Sequence, residues 1–267
     1  MKKLFFSTSI ILFTLLVFLI IILSTIGFKT DKFNESISNR VAESNKEISL
    51  KLEKIKFKFD IKDFNLFLET KNPELIYKNL EIPIQNIKIY LNFYKLIKSK
   101  SKIDKISISS EEININQFKE IIIKTKPSNL NSLITNRVNN GKLFINLELY
   151  FNDNLDIDNF IARGEVKEMN GFINNELSLK NTSFDFFADS SDILIKNVKS
   201  KMDGLLIKNG NLQIKRNQGI SLQSDFTTEI RINKKNITNY LPILKNIKLI
   251  NQETNFNANV DNFLDVT

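Results

Sequence analysis

The chain has 267 residues and a mass of 31.0 kDa, with 42% hydrophobic and 25% charged residues, 22 Phe, and no Cys, His or Trp. Without Cys there is no disulfide, thiolate nucleophile, lipoprotein acylation site or Cys-based zinc site, and without His there is no Ser–His–Asp arrangement or imidazole-ligated metal. The net charge of +8 comes from 38 basic and 30 acidic residues that interleave, as in Lys51-Leu52-Glu53-Lys54, rather than cluster as nucleic-acid binding requires. The densest basic run, Lys95, Lys98, Lys100 and Lys102, has no motif around it.

From its start, the chain is uncharged between Leu4 and Phe28. At about 1.5 Å per residue this stretch spans a hydrocarbon core of roughly 30 Å. A cleaved signal peptide has a shorter apolar region followed by small residues. Thr25-Ile26-Gly27 fits that pattern poorly, so an uncleaved anchor is expected. Lys2 and Lys3 place the N-terminus in the cytoplasm, with everything after Phe28 exported.

Residues 33–50 read as an amphipathic helix, with Phe33, Ile37, Val41 and Ile48 on one side. From Leu50 the period changes to two. Ile55, Phe57, Phe59 and Ile61 alternate with charged residues, so Phe59 should point away from Lys58 and Asp60, with Lys58 facing water. Phe64, Leu66 and Leu68 continue the pattern until Asn72-Pro73. Ile82, Ile84, Ile87, Ile89 and Leu91 form the next strand region, with a bulge or turn at Gln85-Asn86. Asn92–Ser99 reads as a helical turn. Ile103, Ile106, Ile108, Ile113 and Ile115 resume the alternation, a helix begins within Phe118–Ile123, and Pro127–Val138 is a helical or irregular linker.

Leu143, Ile145, Leu147, Leu149 and Phe151 predict one long strand. Beyond it the turn signals Asn140-Gly141, Asn170-Gly171, Asp203-Gly204, Asn209-Gly210 and Gln218-Gly219 predict many short strands in an antiparallel meander. A short helix is expected over Asn236–Lys245. Alternation through Phe256, Ala258, Val260 and Phe263 continues almost to the last residue, as if the sequence were part of a longer chain. The domain reading is 1–28 as cytoplasmic tip and anchor, 29–126 as helix plus first strand segment, and 127–267 as the continuing meander.

No nucleotide-binding or calcium-loop motif is present. Glu111-Glu112 and Asp153, Asp156 and Asp158 read as solvated turns rather than a metal or acid/base site, so no catalytic residue, metal or cofactor is expected. What remains is a mainly β chain whose strands each carry one apolar face. Either two sheets cover each other in a closed β-sandwich, or a long curved sheet leaves its inner face for a ligand.

The order of a basic start, a single span, an amphipathic helix and strand pairs resembles the amino-terminal part of the AsmA-like family of bacterial envelope proteins, which includes TamB and YhdP. The pairs run through Ile55-Lys56-Phe57-Lys58-Phe59, Asn72-Pro73-Glu74-Leu75-Ile76-Tyr77, Ile82–Ile89, Ile103–Ile108, Ile113-Asn114-Ile115 and Phe118–Ile121. Gly164-Glu165-Val166 to Phe226 resembles the β-rich region that follows in that family, and Asn239-Tyr240-Leu241-Pro242 is similar to a segment of YhdP-like members. The resemblance implies a non-enzymatic protein anchored in the inner membrane, whose bulk lies in the periplasm and forms a curved antiparallel β-groove. It implies phospholipids as the partners, moved toward the outer membrane, with the alternative of an assembly scaffold for outer-membrane or other envelope proteins. The groove lining would be Ile55, Phe57, Phe59, Leu66, Leu68, Ile87, Ile89, Ile106, Ile108, Ile113, Ile115, Leu143, Ile145, Leu147 and Leu149.

Overall fold

A computed structural model describes residues 2–62, 65–91, 103–152, 154, 156–173, 177–202, 204–216, 219–232 and 254–266. The expected helical turn at Asn92–Ser99, the expected helix at Asn236–Lys245, the Lys95–Lys102 run, Phe64 and Asp153 lie outside these residues. So does Asn239-Tyr240-Leu241-Pro242.

The chain is mainly β. Helix α1 (Lys2–Thr25) is followed by β1 (Phe28–Thr30), α2 (Asn34–Ser44) and β2 (Ile48–Lys51). Strands β3 (Ile55–Asp60), β4 (Asn65–Lys71), β5 (Glu74–Tyr77), β6 (Leu80–Ile82), β7 (Ile84–Leu91), β8 (Ile103–Ser110) and β9 (Ile113–Asn114) come next. Helices α3 (Ile115–Ile123) and α4 (Asn129–Arg137) precede the long strands β10 (Val138–Phe151), β11 (Ile157–Phe172), β12 (Ser178–Ala188), β13 (Asp192–Met202), β14 (Leu205–Lys215), β15 (Ile220–Ile232) and β16 (Thr254–Val266).

One sheet of 13 strands runs in the order β1-β3-β4-β7-β8-β10-β11-β12-β13-β14-β15-β16, with β9 on β10, and a second of three strands is ordered β2-β5-β6. Among the described residues β1 and β16 are the two ends of the path, so the large sheet is open rather than a closed barrel. Two compact units are formed, residues 1–110 with 148–159, and residues 111–147 with 160–267.

Several boundaries differ from the sequence reading. Phe6–Thr25 is long and apolar enough to cross a membrane, but the helix stops short of Phe28. Gly27 adopts φ +73, the left-handed conformation that commonly ends a helix, and its N–H donates to the Ile22 carbonyl. Phe28 then begins β1, opposite Phe57 of β3. The amphipathic helix ends at Ser44, and Ile48 belongs to β2, opposite Tyr77. Ile61 lies beyond β3 and is exposed. Ile115 is not a strand residue, because Asn114 caps α3 by accepting the Asn116 N–H through its side chain (2.9 Å). The linker beginning at Pro127 contains α4, capped in the same way by Ser128.

The meander has fewer and longer strands than expected. Asn140-Gly141, Asn170-Gly171 and Asn209-Gly210 lie inside β10, β11 and β14 instead of at turns. Gly204 and Gly219, with φ +80 and +129, do fall between consecutive strands.

Candidate functional site

In the first unit, antiparallel register decides which side chains share a face. Phe57 lies opposite Leu68 and Phe59 opposite Leu66; Leu68 lies opposite Ile89; Ile87 lies opposite Ile108 and Ile89 opposite Ile106. The anticipated residues Ile55, Phe57, Phe59, Leu66, Leu68, Ile87, Ile89, Ile106 and Ile108 are therefore gathered on one side of β3-β4-β7-β8. A layer covers part of that side. Ile37 of α2 and Leu50 of β2 stand over Ile55, Leu68, Ile87 and Ile89 around a cavity of about 30 Å³. That is room for one or two water molecules, not for an acyl chain. The Phe33 ring meets Phe57 edge-on at 6.0 Å, and the Asn34 amide donates to the carbonyls of Leu52 and Glu53. Ile55 and Phe59 are 3% and 9% exposed, so both belong to a packed core.

The opposite face of this unit is polar but not fully solvated. Glu69 is buried there, with its carboxylate 2.9 Å from the Lys58 ammonium and 3.8 Å from that of Lys88, and it accepts from the Asn86 amide. Burial works against this carboxylate, but the hydrogen bonds from Lys58 and Asn86 and the two lysine charges outweigh it and hold its pKa below the usual range. Phe67 and Tyr90 stack at 5.3 Å, Lys88 lies over the Phe67 ring, and Lys105 sits 4.3 Å above that of Tyr90. Lys58 points away from Phe59, as the alternation requires, yet the expectation that it faces water is corrected: it is spent on Glu69.

In the second unit, Leu143 lies opposite Ile113 and packs with Val166, joined by Phe118 of α3, Ile145, Met169, Phe184 and Phe186. Ile115 is buried on α3, and Leu147 follows half-buried on β10. Leu149, also half-buried, falls in the first unit.

Beyond this cluster the face continues through strands of the expected meander whose residues the anticipated lining did not include. Phe186 lies opposite Ile195, Ile195 opposite Leu212, Ile214 opposite Leu222, and Leu222 opposite Leu264. These residues are half-buried, except Leu264, which is 56% exposed. Among the described residues α3 packs at the β9 end of the unit and α4 against α3, while at the β16 end Phe256 and Val260 stay 42% and 39% exposed. The same alternation that marked Phe57 and Phe59, as in Leu212-Gln213-Ile214, was the signal available for them. Buried hydroxyls interrupt the apolar surface. Thr182 and Ser200 share a hydrogen bond of 2.7 Å, and Thr228 donates to the Ala258 carbonyl.

A line of bulges crosses this unit. Register shifts fall between Val166 and Met169 on β11, Ser183 and Lys180 on β12, Asp185 and Ser183 where β12 meets β13, and Ile207 and Asn209 on β14. Glu168, Asn181 and Asn197 take positive φ at three of them. Side-chain amides from neighbouring strands bind the backbone donors displaced there. Asn181 N–H donates to Asn170 Oδ1, and Asn197 N–H donates to Asn211 Oδ1. Bulges bend a strand and increase its twist, so this line is where the sheet of this unit acquires curvature.

Glu111 and Glu112 are exposed at the start of this unit, Glu112 paired with Lys142 at 3.2 Å, and Asp156 and Asp158 are exposed in the first.

The fold and its surfaces define a class: an open antiparallel β protein with an N-terminal helix long and apolar enough to cross a membrane. No protein-family model matches the chain, and neither a curated protein nor a solved structure shows significant similarity to it.

Proposed function

We propose that the chain is an inner-membrane-anchored, periplasmic, AsmA-like protein that holds phospholipid acyl chains against an apolar sheet face and passes them toward the outer membrane without catalysis. The observation that carries this reading is the apolar face of β14 to β16, whose residues run from half-buried Leu212, Ile214 and Leu222 to exposed Val260 and Leu264. Covering apolar area is worth about 25 cal/mol per Å², so a lipid chain is stabilised there without any specific contact. α1 supplies the proximity to a bilayer that such a ligand requires.

The test places a photo-crosslinking residue at Leu222, on the apolar face, or at Gln223, the next residue on the opposite face, in the full chain in native membranes. Lipid adducts at position 222 and none at 223 are expected; equal labelling, or none at 222, overturns the reading.

A second reading, a scaffold for outer-membrane protein assembly, is favoured by the covered face of β3-β4-β7, where α2 and the three-stranded sheet leave only about 30 Å³. Under that reading the adducts at 222 are to protein.

A further inference from the structure

We propose that the end of the first unit around the last turn of α1 is a second membrane contact, where Ile26, Phe28, Phe33 and Ile61 seat the sheet in the headgroup layer of the bilayer that α1 crosses. This rests on the anchoring part of the proposed function and not on lipid transfer. Phe6–Thr25, the apolar window of α1, is 20 residues long. At about 1.5 Å per residue it matches a hydrocarbon core of roughly 30 Å and puts Thr25 at the boundary, with a headgroup layer of about 5–8 Å beyond. Phe28 is three residues past Thr25, so it lies at most about 11 Å outside that boundary.

The chain then turns back toward the bilayer. β1 leads away from α1, and β3 returns antiparallel beside it with Phe57 opposite Phe28. Ile61 is four residues past Phe57, about 13 Å further along at 3.3 Å per residue, which brings it level with the last turn of α1. α1 packs against β3 there, and a Cβ on Gly27 would touch the Phe57 carbonyl oxygen and the Lys58 side chain. Phe33 joins the same rim, since its ring meets that of Phe57 at 6.0 Å. Exposure follows position. Ile26, Phe28, Phe33 and Ile61 are 68%, 63%, 51% and 55% exposed. At the opposite end of β3-β4-β7, Lys71, Asn72 and Gln85 are exposed while Pro73 and Ile84 are buried. Large apolar side chains held at headgroup height are stabilised by entering the boundary between headgroups and acyl chains. Charge does not select the lipid, because Lys29, Lys32 and Lys62 are balanced by Asp31, Glu35 and Asp60, and Lys58 is held by Glu69. The occupant is therefore a zwitterionic bilayer surface, entered by apolar side chains.

The chain has no tryptophan, so a single introduced one reports its own depth. The full chain is reconstituted in phosphatidylcholine vesicles with or without bromine on the acyl chains. Phe13→Trp, within α1, should be quenched strongly. Ile61→Trp and Phe33→Trp should each lose more than a third of their fluorescence, while Lys71→Trp, at the far end of β4, stays as bright as without bromine. Ile61 is exposed and lies beyond β3, so its replacement spares the core, and circular dichroism checks that each variant keeps its strands. Quenching of Phe13→Trp with Ile61→Trp and Phe33→Trp as bright as Lys71→Trp overturns the membrane seat and leaves the anchor standing. An unquenched Phe13→Trp overturns both. Quenching at position 61 that appears only when phosphatidylglycerol replaces part of the phosphatidylcholine overturns the apolar contact in favour of a charged one.

Discussion

Glu69 concentrates the charge of the first unit's polar face at one buried carboxylate between Lys58 and Lys88. Its folded pKa is lowered, so its contribution is complete above the unfolded value of about 4.3 and disappears as pH falls from there through the folded value. Glu69→Gln should cost about 1–3 kcal/mol near neutral pH, and the gap from the unchanged chain should close in acid, measured as urea midpoints across that range. A gap that persists in acid would mean that packing, not charge, makes Glu69 necessary. Lys58→Asp, which surface placement would have made harmless, should instead destabilise by setting a second carboxylate against Glu69. The two glycines beneath rings make a further comparison. A Cβ at Gly164 would stand 2.0 Å from the Phe144 carbonyl oxygen, while one at Gly210 would meet the Phe226 ring at the same distance. Backbone yields less readily than a ring, so Gly164→Ala should lose about 2–3 kcal/mol and Gly210→Ala less, read from denaturant midpoints.

Among the elements, the hairpins show what a sequence discloses. The tight two-residue loop joins β5 to β6 at Lys78-Asn79, with Tyr77 opposite Leu80 and φ of +48 and +63, although Lys-Asn is not the favoured pair for that turn. The favoured Asn-Gly pairs sit within strands. There Asn140 and Asn170 bind one another through their amides and Asn211 receives the bulge N–H of Asn197, while a ring lies over Gly210. The sequence marks these pairs as turns, and that reading fails because the neighbouring strand, which no local window contains, decides between a turn and a place of close approach inside a strand. By contrast, period-two runs such as Ile55–Phe59 were legible because the face they bury repeats every second residue. The cover of α2 and β2 was not, since short strands such as Leu80–Ile82 carry too few residues to show a period. Asn197→Ala should cost about 1–2 kcal/mol, because Ala resists positive φ and loses the 2.7 Å bond to Asp185. Asn197→Gly, which keeps the backbone, should cost less; equal losses would assign the whole effect to the side-chain bond.

For the molecule as a whole, the two surfaces called apolar by their alternation have different fates. That of β3-β4-β7 is packed beneath its own layer, so Phe59→Ala should destabilise by about 3–5 kcal/mol and remove amide protection from β3, β4 and β7 in hydrogen exchange. Were Phe59 instead a ligand contact, exchange would change little and only lipid retention would fall. The apolar face of β14 to β16 lies beyond the anticipated lining, which stops at Leu149, and it ends in the exposed side chains of Phe256, Val260 and Leu264. Alternation reveals that a face is apolar, but whether the chain itself folds over that face is a property of long-range packing that no window of residues contains.

Only Ile26 and Gly27 separate the end of α1 from β1, and β1 is already paired antiparallel with β3 over Phe28, Lys29 and Thr30. A tether of two residues, both donating their N–H groups to the Ile22 carbonyl, has almost no rotational slack. If α1 crosses a bilayer, its tilt or spin is therefore delivered to the sheet edge as torque rather than absorbed by a linker. A spin label on β3 should tumble at the rate of a label on α1 in nanodiscs, and lengthening the junction by a few Gly-Ser residues should uncouple the two.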